Sequence, residues 1–279
     1  MTWKIVADSS CDLQEGLLCV PEVSFSIVPL KIRVGEREFV DDPSLDVAEM
    51  MRALADYQGP SSSACPSPEE WAAEFETADN TIAIAMTSAL SGTYNSALVA
   101  RDMVLEKHPE KKIHVIDTRS TGGHMVLLAR KVNQLIAMGL SFEEVCEEAD
   151  AYNQQTHLLF ALASFDNLVK NGRMNKVVGL LASKLNMRAV GIASEKGELS
   201  LLHKTRGEAR CITLLLEELA SRKDLTGKPV VITHCQNPVG AKLLRLRIEE
   251  QWPGVEVTVL ATHGLTSYYA QHQGLLIGF

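Results

Sequence analysis

Residues 82–97 read IAIAMTSALSGTYNSA. The first five are an uninterrupted apolar run, short enough for a strand buried on both faces. A corner of hydroxyls around Gly92 follows, and apolar residues then return at helical spacing, which predicts a helix over 93–107. A buried strand that turns a tight corner into a helix is half of a βαβ unit, so this stretch places the chain in the α/β class.

The same alternation extends in both directions. WKIVA (3–7), SFSIVPLKI (24–32), TIAIAM (81–86) and KIHVID (112–117) predict strands separated by amphipathic helices over 45–56, 67–77, 93–107, 123–138 and 141–153. Ser141 and Glu144 form a capping-box pattern at the start of the last of these. The pattern restarts near residue 157 with HLLFALA, a helix over 173–185, and the strands RAVGIAS and ELSLLHK. Glu195-Lys196-Gly197 joins those two strands, and so short a connection predicts an antiparallel hairpin. A helix over 207–221, PVVITH (229–234), a helix over 238–251, VEVTVLA (255–261) and LLIGF complete the pattern. The reading is two α/β domains, 1–155 with a mostly parallel sheet and 156–279 with a mixed sheet.

Charge and composition narrow the function. Twenty-seven Lys and Arg against 35 Asp and Glu leave a net charge of −8, and no basic stripe is present to neutralise phosphates, which argues against nucleic acid as a partner. The N-terminus lacks the zones of a signal peptide and no apolar run approaches bilayer length, so a soluble cytoplasmic protein is expected. The six cysteines form no C-x-x-C pair and have no histidine at ligand spacing, so no zinc site or other metal is expected. Cys65, in a polar Ser-Pro segment, stands apart from the others, which read as small buried apolar residues.

Ligands of open parallel sheets bind beyond the carboxyl ends of the strands, and Thr87 to Tyr94 occupies such an end. Gly92 lets backbone approach closely; Ser91 and the N–H groups after it offer donors to a carboxylate or phosphate. Plain N-capping by Ser91 or Thr93 is the alternative use of the same residues. Similar corners follow the strands ending at Ala7 and Asp117, where Asp8 and Asp117 read as caps or Asx-turns, and a third, Ser61 to Pro68, precedes a helix. Ser91 lacks the G-x-S-x-G elbow, since Ala89 and Thr93 flank it two residues away, and no P-loop or G-x-G-x-x-G occurs. A serine hydrolase using Ser91 with His272 as base stays open as the enzyme alternative, and a binding protein for another carboxylate or phosphate ligand as a third.

Several of these segments together resemble the DegV family of bacterial fatty-acid-binding proteins. Asp8-Ser9-Ser10-Cys11-Asp12-Leu13 is similar to its D-S-x-x-D-L opening, Ser63-Ala64-Cys65-Pro66-Ser67-Pro68 to T-S-x-P-S-P, and Leu90 to Ala97 to L-S-G-T-Y-x-S-A. Asn171-Gly172-Arg173 resembles a G-G-R turn, and His272-Gln273-Gly274 the start of H-x-G-P-G. The resemblance implies a two-domain DegV-like fold with a long-chain fatty acid held at the domain interface. It also implies a non-enzymatic carrier that presents the carboxylate to an ATP-dependent fatty-acid kinase for acyl-phosphate formation, with the fatty acid as ligand and no cofactor. Carried over by position, Ser63 and Ser91, with Gly92 and Thr93 of the same corner, would bind the carboxylate and His272 would lie beside it. Arg173 and Arg206 would face the kinase or the transferred phosphate. Ser63 stands where threonine is usual, Arg188-Ala189 where Lys-Pro is, and Leu275-Leu276 where a terminal Pro-Gly is, the last change bearing on the backbone beside His272. The expected tunnel walls are the apolar faces of the helices at 45–56 and 123–138, with Met50, Met51, Met125 and Leu128 adapting to the chain.

Overall fold

The computed structural model describes residues 1–13, 18, 23–174 and 187–279. Three sheets organise them. The first has the order β2-β1-β6-β7, built from β1 (Trp3–Asp8), β2 (Val23–Val28), β6 (Asn80–Ala85) and β7 (Lys112–Asp117). All of its pairings are parallel, and every residue of β6 is buried, as a strand covered on both faces requires. The second is a small antiparallel sheet, β4-β3-β5, of β3 (Lys31–Val34), β4 (Arg37–Val40) and β5 (Ser61–Ala64).

The third sheet is mixed, in the order β10-β9-β8-β13-β11-β12. Its strands are β8 (Leu158–Leu162), β9 (Met187–Ala193), β10 (Leu199–Arg206), β11 (Pro229–His234), β12 (Glu256–Ala261) and β13 (Leu275–Gly278). Only β11 and β12 run parallel; β13 enters between β8 and β11 antiparallel to both. The β9–β10 hairpin forms as the short connection predicts, with Gly197 at φ +78 in the turn. The helices are α1 (Val47–Asp56), α2 (Pro68–Phe75), α3 (Thr93–Lys107), α4 (Gly123–Ala137), α5 (Phe142–Gln155), α6 (Asp166–Lys170), α7 (Glu208–Arg222), α8 (Pro238–Gln251) and α9 (Gly264–Ala270). Ser141 closes the capping box with Glu144 at the start of α5. The helix predicted over 173–185 lies, beyond its first two residues, outside the described residues.

Two features differ from the pattern read in the sequence. SFSIVPLKI is not one strand: Pro29 has no N–H for a ladder, the run ends at Val28, and the chain re-enters a different sheet at Lys31. The hairpin β3–β4 and the strand β5 add a sheet that apolar periodicity does not reveal, because β5 is Ser-Ser-Ser-Ala.

Helix α4 packs on both large sheets, touching β1 and β6 on one side and β11 and β13 on the other. Its approach to the mixed sheet is backbone on backbone. A Cβ placed on Gly123 would sit 2.6 Å from the Val231 carbonyl oxygen, and one on Gly278 would sit 2.3 Å from the Gly123 carbonyl carbon. The main core cluster accordingly runs through α4, from Ile5 and Ile84 on the parallel sheet to Phe160 and Leu276 on the mixed one.

Candidate functional site

Strand β5 places alternate side chains on opposite faces, so Ser61 and Ser63 point the same way. Each meets a tyrosine of α9: Ser61 Oγ lies 2.8 Å from Tyr268 Oη, and Ser63 Oγ 2.8 Å from Tyr269 Oη. Beyond the carboxyl end of β6 the chain turns through Leu90 and Ser91 into α3. Gly92 takes the N-cap position with no side chain to fill it, and Ser91 Oγ instead lies 2.8 Å from Thr93 Oγ1 and accepts the Thr93 backbone N–H at 3.3 Å. Arg173 reaches the same place. Its Nε donates to the Leu90 carbonyl at 3.2 Å and its Nη1 to the Asn171 carbonyl at 2.6 Å, which fixes the guanidinium beside the serine corner.

Ser63, Ser91, Tyr269 and Arg173 line one cavity together with Thr121 and Thr266, and the rest of its wall is apolar, with Leu30, Met86, Phe160, Leu199 and Leu276 prominent in it. Leu158, Phe160 and Leu162 line it from one face of β8, and those four residues of rise span about 13 Å. The empty space is about 690 Å³ including the open mouth. Its largely apolar wall makes it a slot suited to a hydrocarbon chain. A second, wider depression, lined by polar residues including Thr118, Arg119, His124 and Asn153, adjoins it across Leu158.

The hydroxyl corners at the strand ends serve the architecture. Asp8 Oδ1 accepts the Ser10 backbone N–H at 3.0 Å and Oδ2 accepts the Met86 N–H at 2.6 Å, stitching the ends of β1 and β6. Burial pushes its carboxyl up to about 6, against the lowering pull of these hydrogen bonds. Asp117 accepts from the backbone of Ser88 and Arg119 in the same manner. Burial also raises the Tyr269 phenol, while the Ser63 hydrogen bond and the Arg173 charge draw it back.

Of the residues singled out in the sequence, Ser63, Ser91 and Arg173 share the cavity, Thr93 is buried behind Ser91, and Gly92 is exposed beside it. His272 is exposed, its Nδ1 3.1 Å from Gln236 Oε1, and does not line the cavity. Arg206 is exposed at the end of β10 and also lies outside it. Met50, Met51, Met125 and Leu128 differ from their expected place: they pack in the core rather than against the slot. The apolar faces of α1 and α4 are consumed by protein neighbours, and strands β8 and β13 supply the wall instead.

The residues that sequence reading missed are chiefly Tyr268 and Tyr269. The available signal was compositional, since the chain has only five tyrosines and two stand together. No histidine or carboxylate hydrogen-bonds Ser91 among the described residues. Among these residues no group of three or more His, Cys, Asp and Glu is placed to hold a metal ion, and no helix is long and apolar enough to cross a membrane.

Comparison with known proteins gives a consistent picture. The family profile described as uncharacterised protein, DegV family, matches residues 2–273. A DegV domain-containing protein of Streptococcus pneumoniae is 45% identical over 279 residues, covering 100% of this chain and 99% of the relative. Among solved structures, the Streptococcus pneumoniae Fatty Acid Kinase (Fak) B3 protein loaded with linoleic acid superposes with a TM-score of 0.97 at 45% identity, covering 100% of this chain and 99% of its own. A protein of Eubacterium eligens loaded with heptadecanoic acid superposes at 0.95 with 36% identity, covering 99% of each chain.

Proposed function

This chain belongs to the DegV family, and from that premise we propose that it is a carrier of a long-chain fatty acid, held in the slot with its carboxylate at the Ser63–Ser91 end. The observation that carries the reading is the slot itself: apolar along β8 and β13, with Ser63, Ser91, Tyr269 and Arg173 among its few polar lining residues. The solved relatives loaded with linoleic and heptadecanoic acid support it.

The energetics agree with this division of labour. Burying about fourteen methylenes at ~0.8 kcal/mol each yields roughly 11 kcal/mol of gross transfer energy. Hydroxyl donors to a carboxylate add about 1.5–3 kcal/mol each, enough to fix which end faces out. The tail supplies affinity and the head supplies register. Arg173, tethered at the mouth, provides a positive charge for the carboxylate in addition to its expected role toward a partner.

The finer reading is that the carboxylate is offered to a separate ATP-dependent fatty-acid kinase, that exposed Arg206 and His272 belong to the surface that kinase meets, and that residues 1–155 and 156–279 form two domains with the ligand between them. The name of one relative, a Fatty Acid Kinase (Fak) B3 protein, supports the kinase reading. The hydrolase alternative is set aside, because the Ser91 hydroxyl pairs with Thr93 and His272 is engaged with Gln236 on the surface.

Native mass spectrometry of freshly purified protein tests the carrier reading. A co-purified mass corresponding to one long-chain acid is expected, removable by delipidation and restored by added acid. A persistently empty protein, or one retaining only a small polar anion, refutes it.

A further inference from the structure

Arg173 is a long side chain on a short turn, and its place in the cavity wall depends on what holds that turn. Helix α6 ends on Asn171, and Gly172 follows at φ +72. Behind it the Gly172 N–H donates to the Val169 carbonyl at 3.1 Å and the Arg173 N–H to the Leu168 carbonyl at 2.7 Å. This pair of bonds is the left-handed glycine ending of a helix, which accounts for Asn-Gly-Arg at this position. The guanidinium then leans back on its own turn, Nη1 donating to the Asn171 carbonyl at 2.6 Å. Where Asn171 sits therefore decides where the charge sits.

The Asn171 side chain is anchored in turn. Its Nδ2 donates to the Asn167 carbonyl at 2.9 Å and to Tyr268 Oη at 2.9 Å. A backbone carbonyl can only accept, so the atom facing it is the amide nitrogen, and the phenol oxygen is an acceptor on this side. Tyr268 keeps its own proton, and Ser61 Oγ lies 2.8 Å from the same Oη. The tyrosine is 0% exposed, and it is not among the residues that line the cavity. Its hydroxyl is thus enclosed between strand β5 and the turn after α6.

We propose that Tyr268 is a positioning residue for the headgroup arginine: its hydroxyl ties the turn that carries Arg173 to the strand that carries Ser63, so that guanidinium and serine reach the same carboxylate. The chain of contacts runs Ser61, Tyr268, Asn171, Arg173, and Ser61 and Ser63 share one face of β5. The inference rests on the carrier reading and assigns a role in it to a residue that touches no ligand.

The phenol oxygen can be removed without disturbing its surroundings. Tyr268→Phe keeps the ring, which packs edge-on against Tyr269 with centroids 4.8 Å apart. Helix α6 also keeps its second tie to α9, since Asn167 Nδ2 donates to the Tyr268 backbone carbonyl at 2.7 Å. What is lost is the hold on the Asn171 side chain, and with it on the carbonyl that bears the guanidinium. The apolar wall is untouched, so the loss falls on the charged head of the ligand and spares its tail.

The test is equilibrium titration of delipidated wild type, Tyr268→Phe, Arg173→Ala and the double variant with a long-chain fatty acid and with the fatty alcohol of the same length. In Tyr268→Phe the affinity for the acid should fall about 2- to 13-fold while that for the alcohol is unchanged. In the Arg173→Ala background Tyr268→Phe should make no further difference to the acid. Equal losses for acid and alcohol would mean a slackened slot and overturn the proposal. So would a loss that persists without Arg173, or an acid affinity that does not move. Should Tyr268→Phe fail to fold, Asn171→Ala takes its place: it releases the same turn with Tyr268 intact, and the same outcomes decide. If wild type does not bind the acid, the carrier reading has failed, and hydrogen exchange of the ligand-free protein judges the tether. Faster exchange at Gly172 and Arg173 in Tyr268→Phe supports it, and matching rates refute it.

Discussion

The hydrogen bond between Ser63 and Tyr269 makes a quantitative prediction about the headgroup. Tyr269→Phe removes only the oxygen 2.8 Å from Ser63 Oγ and retains the ring, which packs edge-on against Tyr268 with centroids 4.8 Å apart. Either hydroxyl of this pair can donate; with the Tyr269 phenol donating to Ser63 Oγ, the serine proton is left for the carboxylate. Ser63→Ala deletes a donor to a charged group and should weaken fatty-acid binding by about 1.5–3 kcal/mol, or roughly 12- to 150-fold. Tyr269→Phe should cost about 0.5–1.5 kcal/mol, because the hydroxyl remains but is no longer directed. Without the Ser63 hydroxyl the Tyr269 phenol has nothing to orient, so the double variant should lose only what Ser63→Ala loses, giving a coupling energy of about 0.5–1.5 kcal/mol. Equilibrium titration of delipidated protein with a long-chain acid measures all four corners of the cycle. Losses that add to within ~0.3 kcal/mol would refute the linked arrangement.

Three further expectations concern the slot, the helix that bridges the sheets, and a buried acid. Leu162→Trp, on β8 in the cavity wall, should displace three or four methylenes from the slot and weaken binding by about 2.4–3.2 kcal/mol, roughly 50- to 200-fold; unaltered affinity in the titration would show that the chain does not pass Leu162. Gly123→Ala forces a methyl to 2.6 Å from the Val231 carbonyl and should lower the unfolding free energy in urea titrations by an overpacking cost of about 1–3 kcal/mol, whereas Gly139→Ala, with nothing within 4 Å but φ +77, should lose only about 1 kcal/mol to backbone strain. Asp8, raised from an ordinary 3.8 to about 6, binds a proton more tightly folded than unfolded; its contribution is present in full below about pH 4 and is lost as the pH rises through about 6. The unfolding free energy of wild type relative to Asp8→Asn should therefore decline by about 3 kcal/mol across that window, and a difference constant with pH in urea titrations would contradict the burial account.

How much of this was legible in the chain depended on what each segment signals by itself. KIHVID, the helix over 93–107 and the helix over 238–251 occur at the bounds that apolar runs and turn residues imply, because burial on both faces of a strand or along one stripe of a helix leaves a periodic trace. Strand β5 leaves none: its four residues are small and polar, and it exists because β3 offers a free edge. Helix α9, seven residues long, is too short for periodicity, although it carries both tyrosines that meet the serines. Distance along the chain hid the rest. The hydroxyls of Ser63 and Ser91 are conspicuous in sequence, but Tyr269 lies 206 residues from Ser63, and no local signal joins them. Periodicity also says which face of a helix is covered and not by what, which is why Met50, Met51, Met125 and Leu128 were reasonable candidates for the wall and belong to the core.

The contact between Gly123 and Gly278 constrains how a lipid can be exchanged. With main chains pressed together at this point, the parallel and mixed sheets have no lubricating layer of side chains over which to slide, and a small tilt of one against the other would drive carbonyl into amide. Loading and unloading must therefore proceed while this keystone stays shut. A crosslink across the two glycines' neighbourhoods should therefore leave the traffic of lipid undisturbed.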